Sequence, residues 1–134
     1  MPSIHHLLTI KAPAERIFKV ITTPEGLCSW WTTQAAGEPT LGAEYQLFFT
    51  KDSDWRAKVV EIEAPIQISW QMTQADADWT PTQIHFHLTE GEDGITTLRF
   101  AHTSWEKIND HFRRTSFCWV TYLEALRKVV ERGR

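Results

Sequence analysis

The chain has 134 residues, 42% of them hydrophobic, and 14 Lys and Arg against 17 Asp and Glu give a formal net charge of −3. That suits one domain spanning 1–134 with a real core, and without a basic run of five or more it speaks against nucleic acid as a partner. No run of 18 apolar residues and no basic-then-apolar leader occurs, so the sequence is read as soluble and cytoplasmic, with no membrane partner.

Alternation over 4–11 predicts a first strand, with Ile4, His6, Leu8 and Ile10 on one face and Leu7 breaking the pattern. Pro13 opens a helix at its first position, Ile17, Phe18, Val20 and Ile21 form its apolar side, and it ends near Thr22. Thr23, Pro24 and Glu25 restart a second short helix as N-cap, first-position proline and early acid, and this helix carries Leu27, Trp30 and Trp31. From Thr32 the texture turns to strand, with Gly37, Pro39 and Gly42 marking a turn between a short strand and one over 44–50. Lys51, Asp52, Ser53 and Asp54 make a polar turn. The strand-like runs 56–63 and 66–73 are separated only by Ala64 and Pro65, too little for a crossover, so they pair antiparallel. A polar loop over 74–80 holds Trp79. The clearest alternation lies over 83–89, with Ile84, Phe86 and Leu88 on one face and His85 and His87 toward solvent on the other. After a turn at Glu92, Asp93 and Gly94, the run 95–102 puts Leu98, Phe100 and His102 on one face.

Residues 110–132 form a long amphipathic helix. At 100° per residue Phe112, Ser116, Trp119, Leu123, Leu126 and Val130 share a stripe, flanked by Tyr122 and Val129. Asn109 is its N-cap, Asp110 suits the positive end of the dipole, Arg127, Lys128 and Arg132 suit the negative end, and Gly133 stops it. Phe117 projects onto the charged side, so either the helix bends there or this ring touches something else. The order of elements is α+β: an antiparallel meander whose apolar face lies on the C-terminal helix.

Several stretches carry a family resemblance. Residues 10–18, reading IKAPAERIF, are similar to an apolar-x-A-P-x-E-x-V-[WF] opening and are followed by Thr23-Pro24-Glu25 and the Trp30-Trp31 pair. The turn at 41–45, the segment VVEIEAP at 59–65, the strand from Gly94 to His102, and Trp119 with Leu123 and Leu126 match further signatures in order. The sequence thus resembles the Bet v 1-like (START, SRPBCC) helix-grip superfamily, and within it the domain shared with the C-terminal part of the Hsp90 ATPase activator. The resemblance implies a curved antiparallel sheet of about seven strands around the long helix, two short helices after the first strand, and a hydrophobic cavity between sheet and helix. Relatives bind lipids, plant hormones, flavonoids or polyketides there, and some act on them. The activator's separate N-terminal domain has no counterpart in this sequence, which weighs against a co-chaperone role.

The candidate ligand-binding residues are Trp31 on the second short helix, Trp70, Phe86, Phe100 and His102, inward-facing by strand parity, and Phe112 and Trp119 on the helix stripe, with a packed core as the competing reading. A buried histidine such as His102 more often satisfies a hydrogen bond than contacts a ligand. Trp55, Trp79 and Trp105 fall near loops, where they either frame an entrance or cap the core. Arg113 and Arg114 are solvated charges by default, although either could meet an acidic ligand group. Glu61 and Glu63 face outward. His5-His6 and His85-x-His87 lack further ligands at a usable spacing, so no metal and no cofactor are expected and these are solvated strand histidines. Cys28 and Cys118 have no CxxC spacing and are taken as reduced, buried thiols.

The leading reading is a module that binds a hydrophobic or aromatic small molecule, as carrier or sensor. The alternatives are an enzyme of the polyketide cyclase or aromatase kind and an Hsp90-type protein-interaction domain. No catalytic constellation is recognised, which tilts the reading away from an enzyme. A homodimer is compatible with the sequence, and an Hsp90-like chaperone is the less favoured partner.

Overall fold

The computed structural model of the protein describes residues 1–50 and 53–132, so Lys51 and Asp52 of the expected turn and the expected stop at Gly133 lie outside the described residues. Among the described residues one antiparallel sheet holds β1 (Ile4–Ile10), β2 (Gln34–Ala36), β3 (Glu44–Phe48), β4 (Asp54–Glu63), β5 (Gln67–Gln74), β6 (Gln83–Glu90) and β7 (Thr96–Thr103). Their order, β1-β7-β6-β5-β4-β3-β2, is a meander from β2 to β7 with the first strand added beside the last. The chain must therefore pass from one edge of the sheet to the other between β1 and β2. It does so as α1 (Ala14–Thr22) and α2 (Pro24–Trp30), both packed against the long helix α3 (Asp110–Arg132). This is the α+β helix-grip arrangement that the resemblance implies.

The register aligns the inner face as period two predicts: Ile84 stands opposite both Trp70 and His102, and Phe86 opposite both Ile68 and Phe100. Leu7 lies on the outer face of an edge strand and is exposed, which is why the alternation of β1 breaks there. Register shifts between Arg56 and Ala57 and between Val59 and Glu61 interrupt the pairing of β4 with β5. Such irregularities bend a strand and raise its twist, which lets the sheet curl around a helix.

Helix ends decide the corners. Pro13 is the N-cap of α1 rather than its first residue and offers no side-chain acceptor; Glu90, at the end of β6, instead accepts from the Ala14 amide through Oε1 at 2.8 Å. A carboxylate there satisfies an orphan amide and suits the helix dipole. Thr23 caps α2 as expected, its Oγ1 accepting from Gly26 N at 3.1 Å. A Cβ on Gly26 would sit 2.2 Å from the carbonyl oxygen of Val20, so only glycine lets α1 and α2 meet this closely.

α3 has the expected bounds, and Asn109 Oδ1 accepts from Phe112 N at 2.8 Å as its cap. Its buried residues are Thr115, Trp119, Leu123, Leu126 and Val130, so Thr115 takes the place expected of Ser116. Burying the four apolar members contributes on the order of 10 kcal/mol gross. Phe117, the misfit of the projection, is 76% exposed, with Val120 nearby at 47%. Cys28 and Cys118 are free as expected, but both are exposed rather than buried. No described helix is long and apolar enough to cross a membrane.

Candidate functional site: an aromatic cavity beside the long helix

Five large rings close a circuit. Trp31 lies 5.1 Å from Trp119 and 5.4 Å from Phe49, Phe49 lies 4.9 Å from Trp55, Trp55 lies 4.7 Å from Trp79, and Trp79 returns to Trp119 at 6.0 Å. These centroid separations fall in the range where aromatic pairs attract beyond their buried area. The five come from separate parts of the chain: the residue after α2, the residue after β3, β4, the β5–β6 loop and α3. Together they line a cavity of about 350 Å³. Ser53, His111, Arg114, Thr115, Cys118 and Tyr122 complete its lining, and because Arg114 and Cys118 are exposed the cavity opens to solvent. A cleft of about 410 Å³ among Gln71, Asp78, Pro81, Gln83 and Glu106 has no aromatic wall and is the poorer ligand site.

Charge at the mouth is sparse. His111 Nδ1 lies 2.9 Å from Oδ2 of Asp78, and this hydrogen bond holds the Asp78 carboxyl below its usual range. Among the described residues Arg114 is the one Lys, Arg, Asp or Glu side chain in the lining, and it has no carboxylate partner among them. Its neighbour Arg113 is paired with Asp110 at 3.4 Å.

His102 lies behind this wall. Its ring is fully buried, Nδ1 accepts from Trp119 Nε1 at 3.0 Å, and Nε2 is 2.8 Å from Thr82 Oγ1. Burial pushes its pKa down to about 3, so it is a neutral imidazole that orients Trp119.

Of the sequence-derived candidates, Trp31 and Trp119 line the cavity. Phe100 lies directly behind Trp119 at 4.5 Å, Phe86 packs on Phe100 at 5.3 Å, and Trp70 packs on Phe86 at 5.9 Å, all within the core. Phe112 packs against Trp105 at 5.2 Å and is not part of the lining. Parity tells which face of the sheet a residue occupies, not how far along the strand the core gives way to open space. The cavity sits toward the loop ends, so Phe49, Trp55 and Trp79 enter it; their clustering near turns was the available signal.

Two strand histidines are more enclosed than expected. His6 is half-buried, with its Nε2 3.2 Å from the Ser116 carbonyl oxygen. His85 is half-buried and engaged through both ring nitrogens: Ser69 Oγ lies 2.7 Å from its Nδ1 and Thr103 Oγ1 2.9 Å from its Nε2, and burial lowers its pKa. His87 is exposed as expected, and among the described residues no group of three His, Cys, Asp or Glu could hold a metal ion.

Sheet, gripped helix and cavity define a Bet v 1-like helix-grip protein. The chain belongs to the family of activator of Hsp90 ATPase homolog 1-like proteins, whose family model matches residues 11–131. Among solved structures, the Aha1 dimer from Colwellia psychrerythraea is similar over 100% of this chain and 99% of its own, with 29% identity and a TM-score of 0.88. Protein BH1534 of Bacillus halodurans is similar over 98% of each chain, with 24% identity and a TM-score of 0.79. CalU16 from Micromonospora echinospora is similar over 96% of this chain and 73% of its own, with 16% identity and a TM-score of 0.79. The last two likenesses show the fold alone. Among curated proteins none matches.

Proposed function

We propose that this chain, as a single domain, binds a hydrophobic aromatic small molecule in the cavity between α3 and the neighbouring loops, acting as carrier or sensor. The observation that supports this reading is the closed circuit of Trp31, Phe49, Trp55, Trp79 and Trp119 around about 350 Å³ of open space. Ligand sites of roughly 300–1,000 Å³ are lined in this way, by apolar rings with a few polar groups at fixed places. Close packing serves stability best when such space is filled, so rings arranged around a void favour an occupant. Titrating two-ring aromatic compounds while following backbone and indole chemical shifts tests the reading, with micromolar affinity expected. Cys118→Trp, at an exposed lining position, should abolish uptake while the dispersion of the spectrum survives. Absence of shifts at Trp31, Trp55, Trp79 and Trp119, or unchanged binding by the variant, would defeat the reading and move the Hsp90-type interaction domain ahead.

A second reading, an enzyme of the cyclase kind, is favoured by one observation: His111 lines the cavity and its Nδ1 is hydrogen-bonded to a carboxylate, Asp78. That is the geometry of an oriented general base. If turnover of a polyketide-like chain is found, it should collapse in His111→Asn while ligand affinity stays. A homodimer is a further part of the proposal, supported by the dimeric Colwellia relative and by exposed Phe117 and Val120 on α3. Light scattering should give a dimer mass that Phe117→Ser reduces to a monomer.

A further inference from the structure

We propose that the ligand of this cavity is anionic: an aromatic carboxylate whose ring enters the circuit of indoles while its acid group meets Arg114 at the mouth. The inference deepens the binding reading and rests on it. Three observations carry it. Every other described lining residue is aromatic, hydroxylic, a thiol or the imidazole of His111, so among the described residues Arg114 is the one full charge the cavity presents. Among the described residues no carboxylate pairs with that charge. Asp110 stands one helical turn before Arg114, at a spacing that allows a pair, yet it engages Arg113 at 3.4 Å. Asp78, the acid beside His111, already accepts from His111 and lies within 3.4 Å of the Asn109 amide.

A guanidinium beside aromatic walls is the donor set that fits a planar acid. Its fork matches a carboxylate in two parallel hydrogen bonds, and its weak hydration lowers the cost of leaving water. The rings on one side of it reduce the local dielectric, so the attraction exceeds that of a free surface pair. Ser53 and Thr115 add hydroxyls in the same lining that can donate to the second oxygen. The chain as a whole is negative, at −3, so its overall field does not gather anions and selection must come from this mouth. A single acidic group on one or two rings suits both the one cation and the volume.

The test uses naphthalene-2-carboxylate and its neutral carboxamide, which present the same ring system with and without charge. Wild type should bind the carboxylate about five- to tenfold more tightly at low salt, and the preference should shrink as salt rises. Arg114→Gln should remove the preference and leave carboxamide affinity unchanged, whereas Arg113→Gln should preserve it. Equal binding of the two probes by wild type, or an equal loss for both in Arg114→Gln, overturns the anionic assignment while the cavity reading stands. If neither probe shifts the indole signals, the cavity reading fails and the assignment fails with it.

Discussion

Trp119 on α3 donates its indole N–H to Nδ1 of His102 on β7 across 3.0 Å, and this one contact fixes the protonation of a relay. With Nδ1 accepting, the neutral ring carries its proton on Nε2 and donates it to Thr82 Oγ1 at 2.8 Å. The Thr82 hydroxyl in turn donates to the carbonyl oxygen of Trp79. Two walls of the cavity, one on the helix and one on a loop, are thereby tied through a buried imidazole. The histidine that strand parity places on the inner face serves the cavity from behind.

Replacing His102 with Phe should therefore leave the Trp119 N–H buried without an acceptor. The expected cost is roughly 1–3 kcal/mol for the orphaned donor, measured by urea unfolding. His102→Asn offers an oxygen in place of Nδ1 and should cost less. If both variants unfold at the wild-type midpoint, the relay contributes nothing to stability.

Acid should weaken the fold through the same residue. His102 is held down to about 3 when folded, against about 6.5 when unfolded. Between these values the unfolded chain binds a proton that the folded chain refuses, so this contribution is whole above about 6.5 and is lost as pH falls toward 3. The burial of His85 acts in the same direction. From pH 7.5 to 5.0 the loss should be about 2 kcal/mol, and it should shrink in His102→Asn. A flat stability profile over that interval would contradict the buried neutral imidazole.

The fold was legible because each long signal had one physical solution. A 23-residue amphipathic helix with Asn109 as cap could only cover a sheet, and the alternation over β6 and β7 named the covered face. Less legible were features set by three-dimensional closure. The register shifts between β4 and β5 break period two without a marker in the sequence, and the cap of α1 comes from Glu90, 76 residues away. The cavity drew Phe49 and Trp79 from connections whose course no periodicity dictates. Thr115 replaced Ser116 because a stripe drawn at 100° per residue does not resolve one position when both side chains are small and polar.

The corner between α1 and α2 should not tolerate a side chain. In Gly26→Ala the new Cβ would meet the Val20 carbonyl at 2.2 Å, backbone against backbone, so the two helices must separate. A loss of roughly 1–3 kcal/mol is expected, and it should exceed the small gain in helix propensity that alanine brings. Thermal unfolding decides the matter; a melting temperature at or above wild type would show that the corner can open freely.

The two thiols should separate chemically even though both are exposed. Cys118 lines the cavity between Arg114 and Tyr122, whereas Cys28 lies on α2 with its Sγ 3.5 Å from Thr32 Oγ1 and outside the lining. Thiol titration of the native protein without denaturant should therefore count two, since neither must wait for unfolding. A bulky maleimide at Cys118, in a Cys28→Ser background, would place its adduct at the mouth and fill the space a ligand needs. The reciprocal Cys118→Ser protein, labelled at Cys28, should bind as wild type does. Protection gives the converse measurement, because a bound aromatic ligand should slow labelling of Cys118 severalfold while Cys28 reacts at its unliganded rate. Equal protection of both thiols would point to a global change, and protection of neither would place the ligand elsewhere than in the circuit of Trp31, Phe49, Trp55, Trp79 and Trp119.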